Sequence, residues 1–277
     1  MKTKIGFMQG RLSPLENGKI QSFPWNNWEK EFEIGKKLKF NILEWTLDYD
    51  GLYFNPLMTN IGQKRIKQLI KKYNFNITSL TGDCFMQKPF WKLKKDRKRL
   101  QQDFLNIVAR CIKLGIKKVV LPLVDNGRIE NKKQELMLVN FLKNIKLFLK
   151  KNKVQILFES DFPPKKYINF IKKFDTSFIG INYDTGNSAS KGFDPSEEIQ
   201  TYGKYIKNVH IKDRLFRGKT VPLGTGNADF KSIFKNLSKI KYNGNYILQT
   251  ARSTKNQHDK VLLQYKNYIL NFVKKNV

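Results

Sequence analysis

The chain has 277 residues, of which 53 are Lys or Arg and 23 Asp or Glu, for a formal charge of +30. No stretch approaches the roughly 20 apolar residues that a membrane-spanning helix needs, and two cysteines, Cys84 and Cys111, are too few for a disulfide scaffold or a thiolate zinc site. The lysine excess is spread over the whole length, as in Lys71-Lys72, Lys117-Lys118, Lys172-Lys173 and Lys274-Lys275, so it reads as a solvated basic surface rather than a nucleic-acid-binding block.

Short β-rich runs alternate with longer amphipathic ones, the pattern of a parallel sheet with crossover helices. The expected strands are residues 4–9, 42–46, 77–81, 118–121, 155–159, 179–184, 206–211 and 245–249. Helical spacing of apolar residues marks 64–73, Arg97–Leu114, 134–151 and 261–275, with lysines on the remaining positions. Gly115 follows the second of these as a C-cap signal. Eight strands with intervening helices in a chain of this length predict one α/β domain over 1–277, a (β/α)8 TIM barrel. Long segments follow several strands, at 10–27, 48–60, 83–95 and 213–227, and long loops on one face are a substrate-binding feature.

Four apolar runs in the second half end in a polar residue: Glu159, Asp184, His210 and Gln249. In a closed parallel barrel such strand ends converge on one mouth, where active sites are built. His210 weighs most, because the chain has only two histidines and an apolar residue is the usual occupant of a strand interior. Oxygen and nitrogen donors without thiolate suit a single divalent ion, Mn, Mg, Co or Zn. Such an ion would grip vicinal oxygens of a hydroxy-carbonyl substrate and act as a Lewis acid on an enediolate.

The segments Ile5-Gly6-Phe7-Met8-Gln9-Gly10-Arg11-Leu12-Ser13, Leu43-Glu44-Trp45, Phe158-Glu159, Tyr183-Asp184-Thr185-Gly186-Asn187, Val209-His210-Ile211-Lys212-Asp213 and Ile247-Leu248-Gln249-Thr250-Ala251-Arg252 together resemble the xylose isomerase-like TIM-barrel superfamily, and within it the sugar phosphate isomerase/epimerase branch. The resemblance implies that Glu159, Asp184 and His210 are metal ligands, with Glu159 also the general base. It departs at the fourth position, where Gln249 stands in place of the family's second glutamate. An amide oxygen can ligate a metal but cannot accept and return a proton at neutral pH. Asp213, Glu44 and Asp83 are therefore candidates for the second acid, and Gln9, Arg11, Trp45, Asp83, Lys212 and Arg252 for substrate binding. Arg214 and Arg217 join the basic residues expected near the mouth, which suits an anionic substrate. Gly224-Thr225-Gly226-Asn227 resembles a loop that family members place over the substrate.

The expected function is a metal-dependent isomerase or epimerase of a sugar, sugar acid or sugar phosphate. A dehydratase or lyase of a cyclic polyol or acid, and a sugar-binding protein altered at Gln249, are the alternatives. An apurinic-endonuclease-type enzyme needs a cluster of zinc ions with many histidines, which two histidines do not supply. A start without a long apolar leader predicts a cytoplasmic location; the expected partner is a small-molecule sugar or sugar phosphate, with homo-oligomer formation left open.

Overall fold

The computed structural model describes residues 4–275. The strands are β1 (Ile5–Met8), β2 (Ile42–Thr46), β3 (Asn76–Thr81), β4 (Lys118–Leu123), β5 (Gln155–Ser160), β6 (Ile179–Asp184), β7 (Ile206–Ile211), the two-residue β8 (Asp213–Arg214) and β9 (Thr220–Val221), and β10 (Asn245–Leu248). Eight of them close into a barrel in the order β1-β10-β7-β6-β5-β4-β3-β2, all neighbours parallel, while β8 and β9 pair separately as an antiparallel ribbon. Each expected barrel strand is present. Gln249 lies just past β10, yet its N–H still donates to the Ile211 carbonyl at 3.0 Å, so the ladder carries it to the mouth.

The helix Arg97–Leu114 has the predicted bounds and ends on Gly115 in the left-handed conformation, φ 81°. The helix Asn60–Tyr73 starts on Thr59, whose hydroxyl accepts the Gly62 N–H at 3.0 Å. The segment 134–151, expected as one helix, is two, Lys132–Asn144 and Lys146–Lys151, separated by Ile145 at φ −96°, ψ 7°. Neither Gly nor Pro marks that break, so apolar periodicity runs through it. The short helix Lys30–Lys37 inside the first connection carries the buried Glu31. Among the described residues no helix is long and apolar enough to cross a membrane.

Strand alternation decides what faces the barrel interior. Phe7, Leu43, Trp45, Ile156, Phe158, Ile181, Tyr183, Val209, Ile211 and Leu248 belong to the large core packed between strands and helices. Their alternating neighbours point inward: Met8, Ile42 and Ile247 form a small separate apolar cluster, and Glu44, Ser79, Thr81, Asn182, Asn208 and His210 form a buried polar network. The interior is thus a packed core whose mouth end is polar.

After β1 the chain turns back at Gly10, φ +93°, where a Cβ would stand 2.8 Å from the Ser22 carbonyl, so the turn requires glycine. Glu31 accepts the N–H groups of Gly10 and Leu12 at 2.8 Å each and the Ser13 hydroxyl at 2.9 Å, which pins the start of the 10–27 connection.

Candidate active site

Glu159 ends β5, Asp184 ends β6 and His210 sits on β7, and one ligand atom from each lies within 4.8 Å of the others. All three are buried. Nε2 of His210 is 2.6 Å from Glu44 Oε1, and its Nδ1 is 3.1 Å from Glu159 Oε2 in ion-pair contact without hydrogen-bond alignment. Burial lowers the His210 pKa, but the Glu44 and Glu159 carboxylates outweigh it and raise it to about 10. A metal at Nδ1 would take the place of that proton.

Glu159 is held from both sides by amides: Asn187 Nδ2 donates to Oε1 and Asn182 Nδ2 to Oε2, each at 2.8 Å. Asp184 Oδ1 accepts the Asn187 N–H at 2.8 Å and Oδ2 accepts Lys212 Nζ at 2.8 Å. Burial works to raise Asp184, but Lys212 and His210 hold it below the ordinary aspartate value. The carboxylate therefore stays ionised.

Gln249 Nε2 donates to Gln21 Oε1 at 2.6 Å, while its own Oε1 is buried without a hydrogen-bond partner. An orphaned amide oxygen costs about 1–3 kcal/mol in a protein interior. The ligand atoms of Glu159, Asp184 and His210 make a donor set of two carboxylates and one imidazole. That set fits a hard or borderline divalent cation.

A cavity of about 320 Å³ opens beside these residues, lined by Glu159, Gln249, Lys212, Asp83, Gln21 and Arg214 among others. The structure thus brings Glu159, Gln249, Lys212 and Asp83 to one space. Glu44 and Asp213 do not reach it: both are fully buried. Glu44 accepts from Ser79 and Thr81 at 2.5 Å each and from Asn208 at 2.9 Å, besides contacting His210. These donors and the His210 charge bring its pKa down against the raising effect of burial. Asp213 accepts the N–H groups of Gly224 and Gly226 at 2.9 Å and of Ala228 at 3.0 Å, so it shapes the Gly224-Thr225-Gly226-Asn227 loop. A Cβ on Gly226 would lie 2.3 Å from Asp213 Oδ1, which explains the glycine there.

Trp45 has the opposite strand parity to Glu44 and points into the helix layer, where its Nε1 donates to Asn55 at 3.1 Å. Gln9 is buried between β1 and β2, its Oε1 accepting the Thr46 N–H at 3.3 Å. Arg11 and Arg252 are turned toward the 10–27 connection: Arg11 donates to the Ile20 carbonyl at 3.1 Å and to Gln21 Oε1 at 3.2 Å, and Arg252 donates to the Ser13 carbonyl.

The family model for the xylose isomerase-like TIM barrel matches residues 32–265. The chain belongs to this family. Among solved structures, this xylose isomerase-like barrel superposes on a xylose isomerase domain protein from Planctomyces limnophilus with a TM-score of 0.77 at 15% identity, covering 99% of both chains. It also superposes on a D-psicose 3-epimerase from Clostridium cellulolyticum H10 with a TM-score of 0.75 at 15% identity, covering 98% of this chain and 99% of that one. By sequence it is 25% identical to a probable L-ribulose-5-phosphate 3-epimerase of Mycoplasma pneumoniae, over 75% of this chain and 71% of the relative. It is 29% identical to an inosose dehydratase of Geobacillus kaustophilus over 28% of this chain, a match that spans only 31% of that relative.

Gln21, Asn182, Asn187 and Asn208 are the polar groups of this xylose isomerase-like site that the sequence reading passed over. For two of them a signal existed. Asn182 precedes Asp184 by two residues and Asn208 precedes His210 by two, so strand alternation puts each pair on one face. Gln21 carried none, because its place depends on how the 10–27 connection folds back.

Proposed function

We propose that this barrel is a metal-dependent isomerase or epimerase that moves a proton at the carbon next to a carbonyl of a sugar, sugar acid or sugar phosphate. The observation that carries the reading is the meeting of Glu159, Asp184 and His210 ligand atoms within 4.8 Å of one another, with Glu159 and Gln249 both lining one cavity. Glu159, Asp184, His210 and Gln249 would hold a divalent ion, which would supply Lewis-acid polarisation of the substrate carbonyl.

The chain's own groups account for the rest. Glu159 is the proton acceptor, because it borders the cavity and its two oxygens are aimed by Asn182 and Asn187. Glu44 holds the His210 ring through Nε2, so that Nδ1 faces the site. Asp213 holds the loop after β9 and Lys212 neutralises Asp184. A cavity of about 320 Å³ is at the small end of ligand sites, which suits a single sugar unit.

The substrate is read as anionic. A second cavity of about 490 Å³ shares Val124, Asp125, Asn187 and Arg214 with the first and adds Arg128, Lys191 and Arg217. Arg128 and Lys191 both pair with Asp161 there. Arg214 instead is held by neutral acceptors, the Gly218 carbonyl at 2.8 Å and Asn187 Oδ1 at 3.0 Å, and keeps its full charge for a ligand. The similarity to a probable L-ribulose-5-phosphate 3-epimerase of M. pneumoniae supports a phosphorylated sugar. Cys84 and Cys111 are buried free thiols, in keeping with a reducing cytoplasm.

The deciding experiment loads the protein with Mn²⁺, measures bound metal, and follows deuterium incorporation from D₂O into D-fructose, D-tagatose, L-ribulose and L-ribulose 5-phosphate. Exchange next to the carbonyl is expected for at least one of them. Metal retention without exchange in any would count against the reading. The match to an inosose dehydratase favours a second one, elimination of water from a cyclic keto-polyol begun by the same Glu159, which loss of water from such a substrate would reveal.

A further inference from the structure

With an amide at Gln249, inversion at a carbon lacks one of the two proton carriers that opposite faces of a substrate require. Four other carboxylates stand near the mouth, and their surroundings separate them: Asp125 also lines the cavity but is solvent-exposed. Glu44 is saturated by Ser79, Thr81, Asn208 and His210, and Asp213 by three backbone N–H groups, and both have no solvent exposure. Asp83 is different. It opens the short helix Asp83–Gln87 directly after β3 and lines the same cavity as Glu159. Among the described residues its one side-chain hydrogen bond is from Gln21 Nε2 to Oδ2, at 2.6 Å.

The same Gln21 accepts from Gln249 Nε2 at 2.6 Å through its own Oε1. The amide that replaces an acid on the last barrel strand is therefore linked through one bridging side chain to a carboxylate on the third. Asp83 and Glu159 both line the cavity, from strands β3 and β5 that are separated by β4.

We propose that Asp83 is the second proton-transfer residue of this barrel, acting on the substrate face opposite Glu159. This rests on the isomerase/epimerase reading and assigns the step that Gln249 cannot perform. The Glu159 carboxylate takes the proton from the carbon next to the carbonyl, and the C–H electron pair becomes a carbon–carbon double bond as the carbonyl oxygen takes up the negative charge. Asp83, as the carboxylic acid, then gives its proton to that carbon from the other side as the carbonyl reforms. Asp83 is left ionised and Glu159 protonated, and exchange with water restores both. Burial first, then the neighbouring Asp48 and Glu159 charges, push Asp83 up to about 7 against the lowering effects of Gln21 and Lys212, so both of its forms are populated near neutral pH.

The test uses the full-length Mn²⁺-loaded protein in D₂O with the four sugars named above, reading deuterium incorporation and epimer formation separately by NMR. The variants are Asp83→Asn and the double variant Asp83→Asn with Gln249→Glu, with Asp83→Ser as a second non-acidic replacement should the first fail to fold. Wild type is expected to exchange and epimerise. D83N should keep exchange within about threefold while epimer formation falls about 100-fold or more, and D83N/Q249E should recover epimer formation by restoring an acid on the last strand. Epimer formation by D83N at the wild-type rate, a parallel loss of both readouts, no recovery in the double variant, or wild-type exchange without inversion would each overturn the role of Asp83 alone. No exchange by wild type with any of the four sugars would instead bring down the functional reading on which it rests.

Discussion

Glu44 Oε1 on β2 and His210 Nε2 on β7 meet at 2.6 Å inside the barrel, with neither residue exposed to solvent. The contact joins strands that are not neighbours in the closed sheet. It orients a metal-site imidazole from behind, the arrangement in which a carboxylate fixes ring direction and strengthens the ligand.

Replacing that carboxylate should weaken the site without opening the fold. In Glu44→Gln, the amide group faces Ser79, Thr81 and Asn208 donors that now meet an N–H₂ on one side. Metal affinity measured by chelator competition is expected to fall about 10–100-fold. An unchanged affinity would remove Glu44 from the support of His210.

Gln249 is the proposed fourth ligand. Gln249→Leu removes the orphaned Oε1 and should weaken Mn²⁺ binding, whereas Gln249→Glu adds a charge and should strengthen it, by about tenfold or more. Both are readable as thermal shifts, since metal at about 100 times its Kd adds roughly 2.7 kcal/mol to the folded state. EDTA should cancel the shift in wild type. A Gln249→Leu variant that binds Mn²⁺ as wild type does would show that the amide is not a ligand.

Arg214 tests the anionic substrate. Charge-assisted hydrogen bonds contribute about 1.5–3 kcal/mol, so Arg214→Ala should raise KM for L-ribulose 5-phosphate by about tenfold or more and change it little for L-ribulose. Equal changes for the two sugars would mean that Arg214 serves Asn187 and the Gly218 turn alone.

Glu198 predicts a pH dependence of stability away from the mouth. Its carboxylate accepts from Tyr202 at 2.6 Å, Ser188 at 2.8 Å and Tyr183 at 2.9 Å, but burial dominates and pushes its pKa to about 7 from an ordinary 4.5. The folded state then binds more protons than the unfolded state between these values. Stability from this group is full below about 4.5 and is lost as pH rises through about 7. The loss is roughly 3 kcal/mol at full ionisation. Urea unfolding at pH 4.5 and pH 8 should show Glu198→Gln losing less stability than wild type over that interval; an equal loss would place the titration elsewhere.

Local pattern was enough to reveal the strands and the residues at their ends. Strand alternation and apolar runs repeat every few residues, so β5, β6, β7 and the end of β10 announced Glu159, Asp184, His210 and Gln249 before any packing was known. The same alternation turns Trp45 outward and brings Asn182 and Asn208 inward. Periodicity did not mark the break at Ile145, where helical geometry lapses without a Gly or Pro.

A barrel of alternating strands and helices, and a set of polar strand ends capable of holding a metal, are legible in the chain because both depend on spacing along it. Which partners surround each acid depends on long-range packing. Glu44, Asp213 and Asp83 are alike as residues, but one is taken up by His210 and three other side-chain donors, one by three loop N–H groups, and one faces the cavity with Gln21 as its bridge. Those partners come from segments as much as 166 residues away, and a carboxylate's role follows from its donors and burial, which distant contacts set.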